Sequence, residues 1–277
     1  MEDYFVVSIG LNQIAVPSYD VGAFCALAHG LNCTGVEFRN DVLRSDFDAE
    51  QAVQIGKIAR ENKLDIFNLS EVRQFDNWDE SKKHEAQKLI ELADAMGAKA
   101  IGLIPRNDGA NLDGATRISN LKTALLALKP LLDEKNLVGL IEPLGFSTAS
   151  LRYKSEIVSV LVELGFEGSF KLIHDTFHHT LSGEKEVFSE YTALVHISGV
   201  ERQDVDFCDM QDQDRVLVGG QDRLGNITQI SQLQASGYCG PVSFEPFSPM
   251  VQNANDIAGD LAKSINFIDG QLEKCAA

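Results

Sequence analysis

Four side chains that commonly bind metal ions each follow a short apolar segment of the chain. They are three carboxylates and one imidazole: Glu142 after 138–141, Asp175 after the apolar start of 170–179, His196 after 193–195, and Glu245 after 242–244. Apolar segments of this length are typical of strands buried in a parallel sheet. Carboxylate oxygens and an imidazole nitrogen suit one divalent metal ion, namely Mn²⁺, Mg²⁺, Co²⁺, Fe²⁺ or Zn²⁺. The pattern therefore predicts a mononuclear metal site where the four segments end.

Two further histidines lie next to the predicted ligand Asp175. His178 comes three residues later and is near enough to handle a proton or to contact the substrate. His174 comes one residue earlier, and side chains alternate along a strand. We therefore expect His174 to point away from the site, beneath the surrounding helices.

Several polar side chains also lie near predicted strand ends without being obvious metal ligands. We assign substrate contacts to four of them: Arg39, Asn68, Arg152 and Arg202. An uncharged polyol requires such a ring of donors and acceptors. For Arg39, an ion pair with Glu37 or Asp41 is an equally good interpretation.

The composition restricts the class of partner. The chain has 277 residues and a formal net charge of −17, from 41 acidic and 24 basic residues. Such a surface repels phosphate backbones and anionic lipids, so neither nucleic acid nor a membrane is an expected partner. Five scattered cysteines without a CxxC pair are typical of reduced thiols in the cytoplasm. With no basic signal region and no apolar segment of membrane-spanning length, we expect a soluble cytoplasmic protein.

Short apolar segments alternate with amphipathic helical segments along the chain. Eight strands are predicted: five at 5–11, 35–39, 64–69, 100–105 and 138–141, a sixth in the stretch 170–179, and two more at 193–196 and 242–244. A short helix near 185–191 is expected to lead into the seventh strand. Eight alternations without a Pro/Ser-rich linker predict a single (β/α)₈ TIM barrel domain over residues 1–277. A doubly wound sheet is the alternative, but the first strand lacks a following Gly-rich phosphate loop.

The sequence resembles the xylose-isomerase-like barrel superfamily and, within it, the inosose isomerases of myo-inositol catabolism. The resemblance is carried by IEPLGF at 141–146, SLR at 150–152, DTFHH at 175–179, LVHISGV at 194–200, FEPFS at 244–248 and VEFRND at 36–41. It implies a barrel in which one divalent metal ion is held by Glu142, Asp175, His196 and Glu245. It also implies that His178 lies beside the substrate, and that Arg202 lies over it as an arginine does in related ketose 3-epimerases.

Two departures from the epimerase pattern bear on the substrate. Those epimerases tend to carry a second acid where this chain has Thr148, and commonly a histidine where it has Asn68. Both differences disfavour a simple ketohexose epimerase and are compatible with a cyclic ketone.

The activity implied by the resemblance is metal-dependent isomerisation of a keto-polyol, of the inosose or 2-keto-myo-inositol type. Glu142 or Glu245 would remove the α-proton to give a cis-enediolate, with His178 as a further catalytic group. Returning the proton to the adjacent carbon moves the carbonyl, whereas returning it to the same carbon inverts that carbon. Alternatives are a ketose 3-epimerase, a 3-dehydroshikimate-dehydratase-like lyase and a non-catalytic sugar-binding barrel. The expected partner is a small keto-sugar or inosose, and the oligomeric state is left open, with a homodimer as a candidate.

Overall fold

Eight short segments rich in Val, Ile, Leu and Phe form the strands of a closed parallel barrel in the computed structural model, which describes residues 7–43, 47–110 and 113–276. The strands are β1 (Ile9–Asn12), β2 (Gly35–Arg39), β3 (Asp65–Arg73), β4 (Ala100–Ile104), β5 (Val138–Ile141), β6 (Phe170–Asp175), β7 (Thr192–Ile197) and β8 (Val242–Phe244). Each strand pairs with its neighbours in sequence, and β1 pairs with β8 to close the barrel. The prediction of a (β/α)₈ TIM barrel is confirmed. Residues 5 and 6 of the first predicted strand lie outside the described residues.

In the described part of the chain, seven helices connect successive strands on the outside of the barrel, and two more follow β8. They are α1 (Val21–Gly30), α2 (Ala49–Glu61), α3 (Glu80–Met96), α4 (Gly114–Lys135), α5 (Lys154–Leu164), α6 (Thr176–Ser182), α7 (Asn226–Ala235), α8 (Pro249–Gln252) and α9 (Ile257–Ala276). Helix α3 illustrates the local signals: the Asp79 side chain accepts a hydrogen bond from the Lys82 N–H, and Gly97 ends the helix in the left-handed conformation. Over the described ranges, no helix is both long enough and apolar enough to cross a membrane.

The segment after β6 differs from the prediction. A helix was expected near residues 185–191, but this is wrong: α6 begins at Thr176, and a 3₁₀ turn spans Ser189–Tyr191. The reason is an N-cap, because the Asp175 carboxylate accepts a hydrogen bond from the His178 N–H at 2.8 Å. The helix therefore starts where the strand ends, and it carries His178 to the rim beside Asp175.

A separate apolar cluster fills the barrel interior beneath the rim. Ile173 and Leu194 lie two residues before Asp175 and His196, so they point to the same side of the sheet. Leu140 and Ala100 pack with them. Burial of each large side chain contributes about 1.5–3 kcal/mol. This cluster forms the apolar floor on which the polar rim residues rest.

Candidate metal centre

The four predicted ligands lie at the carboxyl-terminal ends of consecutive strands. Asp175 and His196 are residues of β6 and β7, while Glu142 and Glu245 directly follow β5 and β8. All four side chains are buried, and one donor atom from each lies within 4.8 Å of the other three. Parallel strands in a barrel end at one rim, and that geometry explains how residues more than 100 positions apart in the sequence meet there.

The donor set fits a divalent cation. Ligand distances of about 2.0–2.6 Å from a shared ion separate its ligands by no more than about 5 Å. Three carboxylate oxygens and one imidazole nitrogen within 4.8 Å of one another meet this condition. In addition, burial and then the charge of Glu245 raise the pKa of Glu142 to about 7, so the charged form lacks sufficient positive charge nearby. A dication would supply that charge.

His196 is oriented by a carboxylate below it. Its Nε2 lies 3.0 Å from Glu37 Oε2, while its Nδ1 faces Glu142 at 3.4 Å and Glu245 at 3.2 Å. Although burial acts to lower the pKa of His196, three surrounding carboxylates, led by Glu245, raise it well above its usual value. A hydrogen bond from Nε2–H to Glu37 leaves Nδ1 as the nitrogen that can contact a metal ion.

Asn68 lies beneath the ligands and supports Glu37. Its Nδ2 donates to Ser70 Oγ at 2.9 Å and to Glu37 Oε2 at 3.3 Å. Glu37 Oε1 and Asn68 Oδ1 are buried and have no hydrogen-bond partner among the described residues. The structure therefore places Asn68, which we predicted as a substrate contact, in the layer below the four ligands.

Replacing Glu37 by Gln is expected to weaken metal binding by about 10–100-fold, the usual effect of removing a carboxylate that orients a metal-binding histidine. The amide keeps the shape but removes the charge that polarises the imidazole. Metal Kd, measured by competition with a chromophoric chelator, checks the prediction. Glu71→Gln is the control, because Glu71 is also buried but pairs with Arg73 and Arg39 and not with His196. Equal affinity in the two variants would contradict the role of Glu37.

Two arginines hold the carboxylate of Glu245. Arg39 Nη1 and Asn12 Nδ2 donate to its Oε1 at 3.3 and 3.2 Å, and Arg215 Nη2 donates to its Oε2 at 3.0 Å. Burial would raise the pKa of Glu245, but His196 and the two guanidinium groups hold it well below its usual value. Arg39 also forms an ion pair with Asp41 and lines the cavity described below. It thus makes one of the two ion pairs considered from the sequence and also lies where it could contact a substrate.

Arg215, which sequence reasoning missed, is the arginine that reaches the ligands. It is fully buried, donates to Asp175 Oδ2 at 2.5 Å, and lies over the rings of Phe177 and Phe247. Arg202, predicted for this place, is half exposed and pairs with Asp204 and with Asp214. Arg202 does not line the cavity described below.

Arg215 is held in place by a backbone contact between its loop and the segment after β7. The acidic composition of the loop gives no indication of this contact. Gly199, just after β7, pairs with Val216 through two backbone hydrogen bonds of 2.7 and 2.8 Å. A Cβ on Gly199 would lie 2.7 Å from the Leu217 carbonyl oxygen, so this approach requires glycine. The apolar run Val216–Val218 after Arg215 is the one sequence signal that could have indicated a return of the loop to the barrel.

The remaining predicted site residues divide between the cavity and its wall. His178 lines the cavity, its ring packs against Phe146 and Phe177, and its buried Nδ1 has no partner among the described residues. Arg152 instead donates through Nε and Nη2 to the Gly145 carbonyl oxygen, at 3.2 and 2.9 Å. His178 therefore lies in the cavity with the candidate ligands, whereas Arg152 does not line the cavity and holds the loop that follows β5.

A cavity of about 300 Å³ is lined by two of the four candidate ligands, Glu142 and Glu245. Its polar side is formed by Glu142, Glu245, His178 and Arg215, together with Arg39, Glu71, Arg73, Gln74, Asn107 and Asp212. Its apolar side is formed by Ile104, Pro105, Leu144, Phe146 and Phe247. This size suits a small molecule, and the two sides suit one with hydroxyl groups and exposed C–H groups.

A closed parallel barrel with buried hard ligands at its carboxyl-terminal rim defines the class of (β/α)₈ barrel with a potential metal centre. The chain belongs to the xylose isomerase-like TIM barrel family, whose sequence profile matches residues 25–269. The family resemblance predicted from the sequence is confirmed. No protein with a curated description matches the chain.

Solved structures of similar fold include a xylose isomerase domain-containing protein, the protein IolI and a sugar epimerase. A xylose isomerase domain-containing protein from Salmonella typhimurium LT2 has a TM-score of 0.85 at 27% identity, over 99% of this chain and 100% of its own. IolI, solved with a zinc atom, has a TM-score of 0.82 at 16% identity, over 96% and 98%. D-Psicose 3-epimerase from Clostridium cellulolyticum H10, solved with D-tagatose, has a TM-score of 0.75 at 14% identity, over 96% and 99%.

Proposed function

We propose that this protein is a metal-dependent isomerase of a keto-polyol, of the inosose type. The observation that carries the proposal is the set of four buried donor residues with ligand atoms within 4.8 Å of one another, two of which, Glu142 and Glu245, line a cavity of small-molecule size. The zinc atom in IolI and the sugar in D-psicose 3-epimerase, both similar in fold, support a metal and a polyhydroxylated substrate here.

The proposed metal ligands are Glu142 Oε, Asp175 Oδ, His196 Nδ1 and Glu245 Oε. A bound divalent ion would supply positive charge that stabilises negative charge developing on a substrate oxygen. Arg215 and Arg39 fix the orientation of Glu245, and Arg215 also fixes Asp175. These contacts keep the carboxylates in place before substrate binds, so little reorganisation is needed.

Glu142 is proposed as the group that removes the α-proton. Its carboxylate lines the cavity, and its one hydrogen-bonding contact within the described residues is to His196 Nδ1. Both oxygens of Glu245, by contrast, already accept hydrogen bonds from arginine. His178 is neutral at pH 7, because burial lowers its pKa, and its free Nδ1 can exchange a hydrogen bond with a substrate hydroxyl.

The lyase alternative is less well supported by the charges in the cavity. A dehydroshikimate-like acid needs a cation for its carboxylate. All three arginines of the cavity are already paired: Arg39 with Asp41 and Glu245, Arg215 with Asp175 and Glu245, and Arg73 with Asp41 and Glu71. A neutral polyol therefore fits this cavity better than an acid. Epimerisation stays as the second candidate, since Glu142 and Glu245 both line the cavity and could act on the same carbon.

Incubation of the metal-loaded protein with scyllo-inosose in deuterated water tests the proposal. We expect deuterium at the α-carbon and a second inosose, both detected by NMR and both abolished by a chelator. Deuterium with inversion of the same carbon in a ketohexose would favour the epimerase instead. Neither exchange nor a new ketone, with all five candidate metals tried, would contradict isomerisation.

A further inference from the structure

A buried polar network lies outside the barrel, directly behind Asp175 and His178. Lys154 Nζ lies 2.8 Å from His174 Nδ1 and 2.9 Å from His179 Nδ1, and all three side chains are buried. As expected from the sequence, His174 points away from the rim. Its Nε2 lies 2.9 Å from Gln229 Oε1. The network therefore joins α5, β6, α6 and α7.

Each hydrogen bond of this network has a defined direction. Burial and the charge of Lys154 lower the pKa of His174 well below its usual value and that of His179 to about 3, so both rings are neutral. Their Nδ1 atoms accept from Lys154, and His174 Nε2–H donates to Gln229. Burial also lowers the pKa of Lys154 to about 7, but an ammonium and an amine both carry at least two N–H donors. The two hydrogen bonds thus form in either protonation state.

Helix α6 needs outside support to hold its place. It has seven residues, whereas an isolated helix shorter than about 12–15 residues is marginal in water. Gln229 Nε2 donates to the Thr176 carbonyl and to Thr180 Oγ1, which ties the other side of α6 to α7. At the start of α5, the Glu184 carboxylate accepts from the backbone N–H of Lys154, so the segment after α6 is also held.

The loop that follows β5 completes this support. A Cβ on Gly145 would lie 2.3 Å from the His178 carbonyl oxygen, so the loop is in close backbone contact with α6. Arg152 Nη2 donates to the Gly145 carbonyl at 2.9 Å and to the Leu181 carbonyl at 3.4 Å. Lys154, two residues after Arg152, contacts α6 through the hydrogen bond from its Nζ to His179 Nδ1.

We propose that Lys154 is a positioning residue, which acts through His174 and His179 to hold Asp175 and His178 in register at the metal centre. The inference rests on the function proposed above, because it assigns Asp175 and His178 to the site. Asp175 is the last residue of β6 and the N-cap of α6, so a shift of the helix moves both its carboxylate and the His178 ring.

Cobalt binding to Lys154→Met and Lys171→Met tests the proposal. Lys171 lies on the same strand as Asp175, but its Nζ contacts the Glu190 carbonyl near the surface. We expect Lys154→Met to bind Co²⁺ about 10–100-fold more weakly, with shifted visible absorption bands, and Lys171→Met to match the unaltered protein. An unchanged Co²⁺ affinity and spectrum in folded Lys154→Met would overturn the proposal, even if its melting temperature fell.

A second pair of variants covers the case in which Lys154→Met does not fold. His179→Asn keeps an acceptor near the position of Nδ1, whereas His179→Leu removes it. The proposal expects the cobalt spectrum to be preserved in the first and altered in the second, and equal spectra would overturn it.

Amide hydrogen exchange of α6 in the metal-free protein separates this proposal from the proposed function. If the unaltered protein binds no divalent metal, the proposed metal-dependent function is contradicted. Exchange at least tenfold faster across Thr176–Ser182 in Lys154→Met or His179→Leu would still support the positioning of α6. Unchanged exchange would overturn it.

Discussion

Glu142→Gln is expected to lower turnover by about 10²–10⁴-fold, the usual effect of losing a general base. The amide has the shape of the carboxylate, and its oxygen can still contact a cation, but it cannot accept the α-proton. Most of the metal should therefore remain bound. Turnover of the ketone and metal content, measured on the same preparation, check the two parts of the prediction.

Glu245→Gln is the matched comparison and should behave differently. Its carboxylate is the shared partner of Arg39 and Arg215, so the amide leaves two buried guanidinium groups with less negative charge. We expect loss of metal and of stability together with activity. Near-normal turnover in Glu142→Gln, with Glu245→Gln inactive but metal-loaded, would reverse the roles of the two glutamates.

The fold and the grouping of the four candidate ligands follow from local sequence patterns. Short apolar runs indicate strands, and a polar residue at the carboxyl-terminal end of a buried parallel strand lies at the rim of the barrel. This is why Asp175 and His196 could be placed from the sequence and are in fact adjacent in the β6–β7 register. Alternation along β6 likewise placed His174 on the outside, where it contacts Gln229.

Long-range contacts account for what sequence reasoning missed. Arg202 and Arg215 lie in the same acidic loop, and the resemblance to ketose 3-epimerases favoured Arg202. The choice between them is made by the pairing of Gly199 with Val216, which has no periodic signal in the sequence. Similarly, the N-cap at Asp175 starts α6 immediately after β6, where the apolar pattern alone indicated a later helix.

Nor did the sequence indicate which charged and polar side chains would contact Glu37 and Lys154. Glu37 was one of two candidate ion-pair partners for Arg39, yet its carboxylate lies 3.0 Å from Nε2 of His196, on a strand that is not adjacent to its own. Strand alternation places Glu37 inside the barrel, but the tilt and closure of the sheet decide which residue it meets. Lys154 is a further case, because a lysine at the start of a helix ordinarily indicates a solvated side chain.

Arg215→Met is expected to destabilise the metal-free protein by about 3–5 kcal/mol, because it leaves the buried carboxylates of Asp175 and Glu245 without their shared cation. Arg202→Met is the control. Arg202 is half exposed and pairs with the exposed Asp204, a contact worth about 0–1 kcal/mol. It also pairs with the buried Asp214, which accepts a further hydrogen bond from the Gln211 N–H, so we expect a smaller loss of stability than in Arg215→Met. Urea denaturation of both variants after metal removal gives the two free energies of unfolding.

Saturating divalent metal should increase the free energy of unfolding of Arg215→Met more than that of Arg202→Met. A dication held by the four candidate ligands would replace part of the positive charge that Arg215 supplied, and any ligand that binds the native state adds stability by mass action. Turnover of Arg215→Met should stay low even with metal, since the guanidinium that lines the cavity is gone. Equal stability losses in the two variants, with activity lost in Arg202→Met alone, would place Arg202 over the substrate and Arg215 outside the mechanism.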